Sequence, residues 1–328
     1  MQTFKRVLLT GGAGFIGSHL AEQLLTEGWH VTAVDNFDSF YDRSVKWQNI
    51  QTQLQDENYK LVQADICDLK RLQDLTNGRY DVIIHLAAKA GVRPSLLDPI
   101  GYQQVNVVGT QNMLELAKTL QVQQFIFASS SSVYGMNPNV PWREDDHTLQ
   151  PISPYASTKV SGELLGHVYS HLYGIRFIAL RFFTVYGPRQ RPDLAIHKMA
   201  RLIMNDDRVP IFGNGNSRRD YTYIDDIIKG ILGAIEYRAT KFEVINLGGS
   251  NTISLLALIR ILEKVSGCKA RLEFHPEQPG DVPQTYADIT KARALLGYEP
   301  RTAFSIGIQN FFGWLQSDIS IKARAHFA

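Results

Sequence analysis

The chain has 328 residues, 44% of them apolar, enough for one large or two modest domains with a real core, which excludes a largely disordered protein. Its 34 basic and 32 acidic residues are interspersed and leave a net charge of +2, and the basic pairs Lys5-Arg6 and Arg218-Arg219 are too short for a nucleic-acid footprint. Two distant cysteines, Cys67 and Cys268, suggest neither a disulfide framework nor a zinc site, and no apolar run nears membrane-spanning length, so a soluble cytoplasmic protein is expected.

Short apolar strands alternate with helical patterns along the first half. Val7-Leu8-Leu9 reads as a buried strand, and Phe15, Ile16, Leu20, Leu24 and Leu25 then recur at helical spacing until Gly28 supplies a stop. Further strands are predicted at 31–34, 61–64, 82–86, 125–128 and 177–180, with helices around 103–119 and 155–172. This βαβ alternation specifies an α/β fold with a doubly wound parallel sheet. Beyond residue 183 the rhythm changes to turn-rich segments such as 210–216, followed by helices near 225–237 and 252–266, so a smaller second lobe is expected. The strand Val244-Ile245-Asn246-Leu247 is expected to return to the first lobe. The expected domains are therefore 1–183 with about 223–250, and 184–222 with 251–322.

The run Gly11-Gly12-Ala13-Gly14-Phe15-Ile16-Gly17 stands between the first strand and its helix. A side chain at Gly11 or Gly14 would obstruct the turn or the approach of a pyrophosphate to backbone N–H groups, and Gly17 permits close helix packing. Glycine spacing alone also fits a simple tight turn. Asp35 ends the second strand, where a carboxylate accepts hydrogen bonds from both ribose hydroxyls and repels a 2′-phosphate, which favours NAD over NADP. Asp65 follows the third strand and suits either an adenine contact or a turn. His85-Leu86-Ala87-Ala88 closes the fourth strand with small residues, as a passing cofactor or plain packing requires.

Ser129-Ser130-Ser131-Ser132 follows the fifth strand at the sheet edge where such folds bind ligands, and Tyr155 and Lys159 lie one helical turn apart in the next helix. On one helix face the Lys159 ammonium favours the Tyr155 phenolate, giving a base from a weak acid, and the hydroxyl cluster positions a substrate hydroxyl beside it. His30, His85, His197 and His275 have no spacing that suggests metal ligation and read as structural or surface groups.

The glycine loop, serine cluster and Tyr155/Lys159 pair, in this order, resemble the extended short-chain dehydrogenase/reductases, specifically nucleotide-sugar epimerases and dehydratases, over nearly the whole chain. The resemblance implies a Rossmann-type sheet with a smaller α/β substrate-binding domain, bound NAD, and Ser130, Tyr155 and Lys159 as the catalytic set. It implies cofactor contacts from Gly11, Gly14, Phe15, Ile16, Gly17, Asp35, Asn36, Asp65, Ile66, Leu86, Ala87 and Ala88, besides Tyr155 and Lys159. Asn106 matches a helix asparagine that fixes backbone and water near Lys159. The dehydratases carry an Asp-Glu pair, and uronate decarboxylases a Glu, where this chain has Ser131 and Ser132, so C4 epimerisation is what remains.

Three segments, at 181–193, 219–226 and 278–282, are similar to those of UDP-glucuronate 4-epimerases, with Thr184 and Gln278 departing from glucose-type relatives. Conversion of UDP-glucuronate to UDP-galacturonate through a 4-keto intermediate is therefore the expected activity. Arg191 and Thr184 are candidates for a clamp on the uronate carboxylate, although Arg191 also suits a surface cation or phosphate ligand. By the same resemblance Arg93, Ser130, Ser131 and Ser132 face the substrate, Arg219 takes the pyrophosphate, Val209 to Phe212 flank the base, and Asp281 lies near the ribose. A UDP-glucose or UDP-N-acetylglucosamine 4-epimerase is the alternative, and a non-catalytic NAD-binding regulator or a net NAD-dependent reductase are the other classes. Partners beyond the UDP-sugar are limited to a homodimer, formed by the 103–119 and 155–172 helices, with no nucleic acid or membrane.

Overall fold

The computed structural model describes residues 5–146, 150–277 and 281–325, with side chains to residue 317. Six strands of the first half are β1 (Arg6–Thr10), β2 (His30–Asp35), β3 (Tyr59–Gln63), β4 (Val82–His85), β5 (Gln124–Ser130) and β6 (Arg176–Phe182). The second half contributes β7 (Thr184–Tyr186), β8 (Arg208–Phe212), β9 (Arg218–Tyr223), β11 (Thr252–Ser254) and β12 (Arg271–His275), and β10 (Phe242–Leu247) lies between β9 and β11 in sequence.

The main sheet has seven strands in the order β10-β6-β5-β4-β1-β2-β3, and every neighbouring pair is parallel. The expected return of the 244–247 segment is met: β10 pairs with β6, Ile245 opposite Leu180. Alternate side chains feed two cores, with Val7, Leu9, Ile84 and Ile126 on one face and Leu8, Ile83, Phe125 and Phe127 on the other. All residues of β4 and β5 are buried, as a parallel sheet covered on both faces requires.

The order reverses at β1, which lies between β2 and β4, so a crevice opens above the carboxyl ends of β1 and β4. The helix Pro154–Tyr173 is aimed at this edge by its own start: Ser153 caps it by accepting from the Ala156 N–H at 3.1 Å, Pro154 fills the first turn, and Gly174 in the left-handed region ends it. Tyr155 thus stands in the first turn, close to where β5 ends.

Outside the main sheet, β11-β9-β7 form one sheet and β12-β8 another. The segment read as turn-rich from 210 begins inside β8, because Val209 and Ile211 alternate into the core, both fully buried. The helix expected from 252 starts at Leu255, after β11, where the Ser254 hydroxyl accepts from the Ala257 N–H. The 103–119 helix is interrupted by a π turn, Gln104–Val108, that carries Asn106. No helix among the described residues is long and apolar enough to cross a membrane.

Candidate active site

A cavity of about 500 Å³ runs over the carboxyl edge of the sheet, lined from Gly11 and Asp35 at one end to Thr184 and Arg219 at the other. The glycine turn forms its floor. Gly11 has φ +71° and passes so close to the strand β4 exit that a Cβ there would sit 2.9 Å from the Ala87 nitrogen; at Gly17 a Cβ would meet the Gly11 carbonyl oxygen at 2.1 Å. The following helix, Phe15–Thr26, has no side-chain cap at Gly14, which leaves first-turn N–H groups for an anion. The turn and uncapped helix fit a dinucleotide pyrophosphate, and Phe15, Ile16, Leu86, Ala87 and Ala88 line the cavity beside them.

Asp35 is buried and already engaged: Oδ1 accepts from the Phe37 N–H at 2.8 Å and from Lys46 Nζ at 3.1 Å, while Oδ2 accepts from the Ala13 N–H at 3.2 Å. Its carboxylate lines the cavity as half of a buried ion pair, not as a free anion. Asn36 donates to Asp65 Oδ2 at 2.8 Å, and Asp65 Oδ1 accepts from the Cys67 N–H. Burial pushes the Asp65 carboxyl up, but the bonds from Cys67 and Asn36 outweigh it and hold it below its ordinary range. Asp65 therefore builds a turn and lines the cavity together with Ile66.

Ser130, Tyr155 and Lys159 line the same cavity. Ser130 ends β5, and its hydroxyl oxygen accepts from the Ser132 N–H at 3.1 Å while the hydroxyl donates to Ser132 Oγ. Burial raises the Tyr155 phenol, opposed by the neighbouring Ser130 hydroxyl and by the positive charge of Arg191. The expected pairing of Lys159 with the phenol takes another form. Lys159 Nζ donates to the Ala128 carbonyl at 2.7 Å and lies 5.9 Å from the Tyr155 ring centre, and burial lowers its ammonium to about 7 against the opposing field of Glu163. Ser130 and Arg191 are the groups here that ease ionisation of the phenol.

Glu163 accepts from Arg181 through both oxygens, at 2.9 and 2.8 Å, and from the Ser129 hydroxyl, tying the helix to β5 and β6. His85 is enclosed between Thr10 and Thr110, and burial holds it neutral with its pKa lowered to about 3. Asn106 accepts from the Lys89 N–H and donates to the Lys89 carbonyl and to Thr158 Oγ1. It thus fixes the loop after β4 and the residue preceding Lys159 in the chain.

The remaining predicted residues divide into two groups. Thr184, Arg191 and Arg219 line the cavity, whereas Ser131 and Ser132 sit in the turn beyond Ser130, outside its lining. Arg93 bonds Asp281 at 2.6 Å and stacks 4.9 Å over Phe212, so these three form a second cluster. Arg219 is electrostatically coupled to it: burial lowers its guanidinium, Asp281 raises it and Arg93 lowers it. Val209 is a correction. It belongs to a strand rather than a loop, and its fully buried side chain packs in the core, so that side chain does not line the cavity. Gln278 to Gly280 lie outside the described residues.

Sequence reasoning missed Phe40, Tyr41, Lys46 and Gln190, all of which line the cavity. Two aromatic residues within the polar loop 38–42 were a usable signal. Lys46 had none, since its pairing with Asp35 depends on how the 36–42 loop folds back.

A sheet switching at β1, a glycine turn under an uncapped helix and a Ser-Tyr-Lys group at the next strand's end define an extended short-chain dehydrogenase/reductase. The GDP-mannose 4,6 dehydratase family model matches residues 8–311, and the chain belongs to that family. It is 42% identical over 318 residues to UDP-glucuronate 4-epimerase of Thermodesulfobacterium geofontis, covering 96% of this chain and 97% of the relative. Among solved structures, UDP-glucuronic acid 4-epimerase from Bacillus cereus, in complex with UDP-glucuronic acid and NAD, superposes with a TM-score of 0.89 at 41% identity, covering 95% of this chain and 99% of that one. MoeE5, in complex with UDP-glucose and NAD, superposes with a TM-score of 0.85 at 31% identity, covering 96% and 99%.

Proposed function

We propose that this protein is an NAD-dependent UDP-sugar 4-epimerase that interconverts UDP-glucuronate and UDP-galacturonate. The observation that carries the reading is the convergence of Ser130, Tyr155 and Arg191 on one cavity shared with the glycine turn. Serines at 131 and 132, where the dehydratases carry Asp-Glu, favour epimerisation over dehydration. The resemblance to relatives that act on or bind UDP-glucuronate supports the uronate.

Gly11, Gly17, Asp35 and the Leu86-Ala87-Ala88 wall would hold NAD. When bound, it supplies a reversible two-electron sink next to C4. The chain's own residues then do the proton work. Tyr155 takes the proton from the 4-hydroxyl as C4 is oxidised, with Ser130 holding that oxygen in line. The phenolate that this requires is favoured by the neighbouring Ser130 hydroxyl and by Arg191. The 4-keto sugar turns over in the cavity, C4 is reduced from its other face, and Tyr155 returns the proton. A uronate makes this intermediate a β-keto acid, so Thr184 and Arg191 must hold the carboxylate out of alignment with the carbonyl. Arg219, with the Arg93, Phe212 and Asp281 cluster, would take the nucleotide diphosphate.

The proposed domains are 1–183 with about 223–250 for the dinucleotide and 184–222 with 251–322 for the sugar nucleotide. A cytoplasmic homodimer is proposed through the 103–119 and 154–173 helices, which expose Val108, Leu164, Val168, Leu172 and Tyr173. The test of function is incubation with UDP-glucuronate, UDP-glucose and UDP-N-acetylglucosamine in turn, following C4 configuration and carbon dioxide. Inversion of UDP-glucuronate without carbon dioxide or accumulated NADH is expected; stoichiometric NADH or an unchanged sugar would reject the reading.

A further inference from the structure

The guanidinium of Arg191 does not face the cavity as a free cation. Nε donates to Asp193 Oδ1 at 2.9 Å and Nη2 to Asp193 Oδ2 at 2.7 Å, a two-point fork with the arginine 17% and the aspartate 34% exposed at the side chain. The guanidinium carbon also lies 5.3 Å from the centre of the Phe40 ring, so the loop after β2 packs on the pair. Burial works against the charge on Arg191, but Asp193 outweighs it and leaves the guanidinium more firmly protonated than usual. Of five N–H donors, two are committed to Asp193, and the Nη1 end of the fork is left for a ligand.

This arrangement has opposite effects on two kinds of substrate. A hexuronate carboxylate brought to the Nη1 end gains from the guanidinium and is repelled by the Asp193 carboxylate on its far side. A neutral hexose, by contrast, meets a pair that is already compensated, where an unpartnered arginine would have been left as an uncompensated charge behind a hydroxymethyl group. We propose that Asp193 is a specificity-determining residue, the internal counter-ion that lowers the site's preference for hexuronates and lets it accept neutral UDP-hexoses as well. The inference rests on the reading that Arg191 meets C6 of the sugar. Asp193 itself is not among the residues that line the cavity; it acts on the sugar only through Arg191.

The test separates binding from turnover. Affinities for UDP-glucuronate and UDP-glucose are measured by calorimetry on the NAD-loaded wild type and on Asp193→Asn and Asp193→Glu, with C4 inversion followed in parallel. Asparagine keeps one acceptor for the Arg191 fork and removes the charge, whereas glutamate keeps the charge. The preference for UDP-glucuronate over UDP-glucose should rise by about tenfold in Asp193→Asn, as loss of one nearby charge in a partly buried site predicts, and stay within about twofold in Asp193→Glu. A merely structural role for Asp193 would let Arg191 wander and lower that preference. An unchanged or lowered ratio in Asp193→Asn overturns the inference. Failure of the wild type to invert UDP-glucuronate would overturn the functional reading instead, while the binding ratio still decides the role of Asp193.

Discussion

The side-chain nitrogen of Lys159 is anchored on the carbonyl of Ala128, 2.7 Å away, while the Tyr155 ring one helical turn earlier is centred 5.9 Å from it. Its ammonium is thus buried without a direct carboxylate partner, and burial depresses it to about 7. The unfolded chain holds that proton until about pH 10.4. A cationic Lys159 therefore destabilises the fold fully below pH 7, and the penalty fades as pH rises from 7 towards the unfolded value. Lys159→Met should show a melting temperature, relative to wild type, that declines steadily between pH 7 and 10 in the ligand-free protein. A difference that stays flat across that interval would mean that burial does not lower the amine's pKa in the fold.

Tyr155→Phe removes the group that carries the proton and leaves the aromatic packing against Tyr102, whose ring centre is 6.3 Å away. Turnover should fall by about a thousandfold, within the usual range for loss of a general acid-base group, with NAD affinity retained. Epimerase activity within tenfold of wild type would remove the phenol from the mechanism.

Arg191→Ala withdraws the charged donor from the sugar end of the cavity. UDP-glucuronate affinity should drop by about tenfold or more, the value of a charge-assisted hydrogen bond, with UDP-glucose much less affected. Carbon dioxide should then accompany turnover, because the 4-keto acid is no longer held out of alignment. Labelled carboxyl carbon collected from the headspace measures it, and an unchanged affinity with no gas released would dismiss the clamp.

Glu163→Gln leaves Arg181 as a buried cation without its two-point partner. The loss should be about 3–5 kcal/mol, read as a lower urea midpoint with unchanged slope, since one member of a buried pair is stranded. A midpoint within experimental scatter of wild type would mean that solvent or another group compensates Arg181.

Much of this molecule is legible in its sequence. The apolar runs at Val7 to Leu9 and 82–86 located strands because a doubly covered parallel sheet needs continuous burial, and Gly11, Tyr155 and Lys159 located the cavity because turns and i,i+4 pairs are local. Long-range pairing was not legible. Nothing near Asp35 announces Lys46 as its partner, and nothing in Arg191-Pro192-Asp193 shows that the arginine folds back on the aspartate rather than reaching outward. Val209 was misread for a related reason: Pro210 and the glycines after it look like a loop, yet pairing with β12 holds the segment extended and turns its valine inward.

Strand β10 has a consequence for biosynthesis. While a nascent chain is shorter than residue 242, the outer backbone edge of β6, from Phe177 to Phe182, has no neighbour, although the five strands beyond it can already assemble. The ribosome must deliver β7, β8 and β9 before that edge is covered. Truncated or stalled chains therefore present a bare, strongly apolar strand to any other chain they meet, and protection by chaperones during this interval is where synthesis of this protein is most exposed to aggregation.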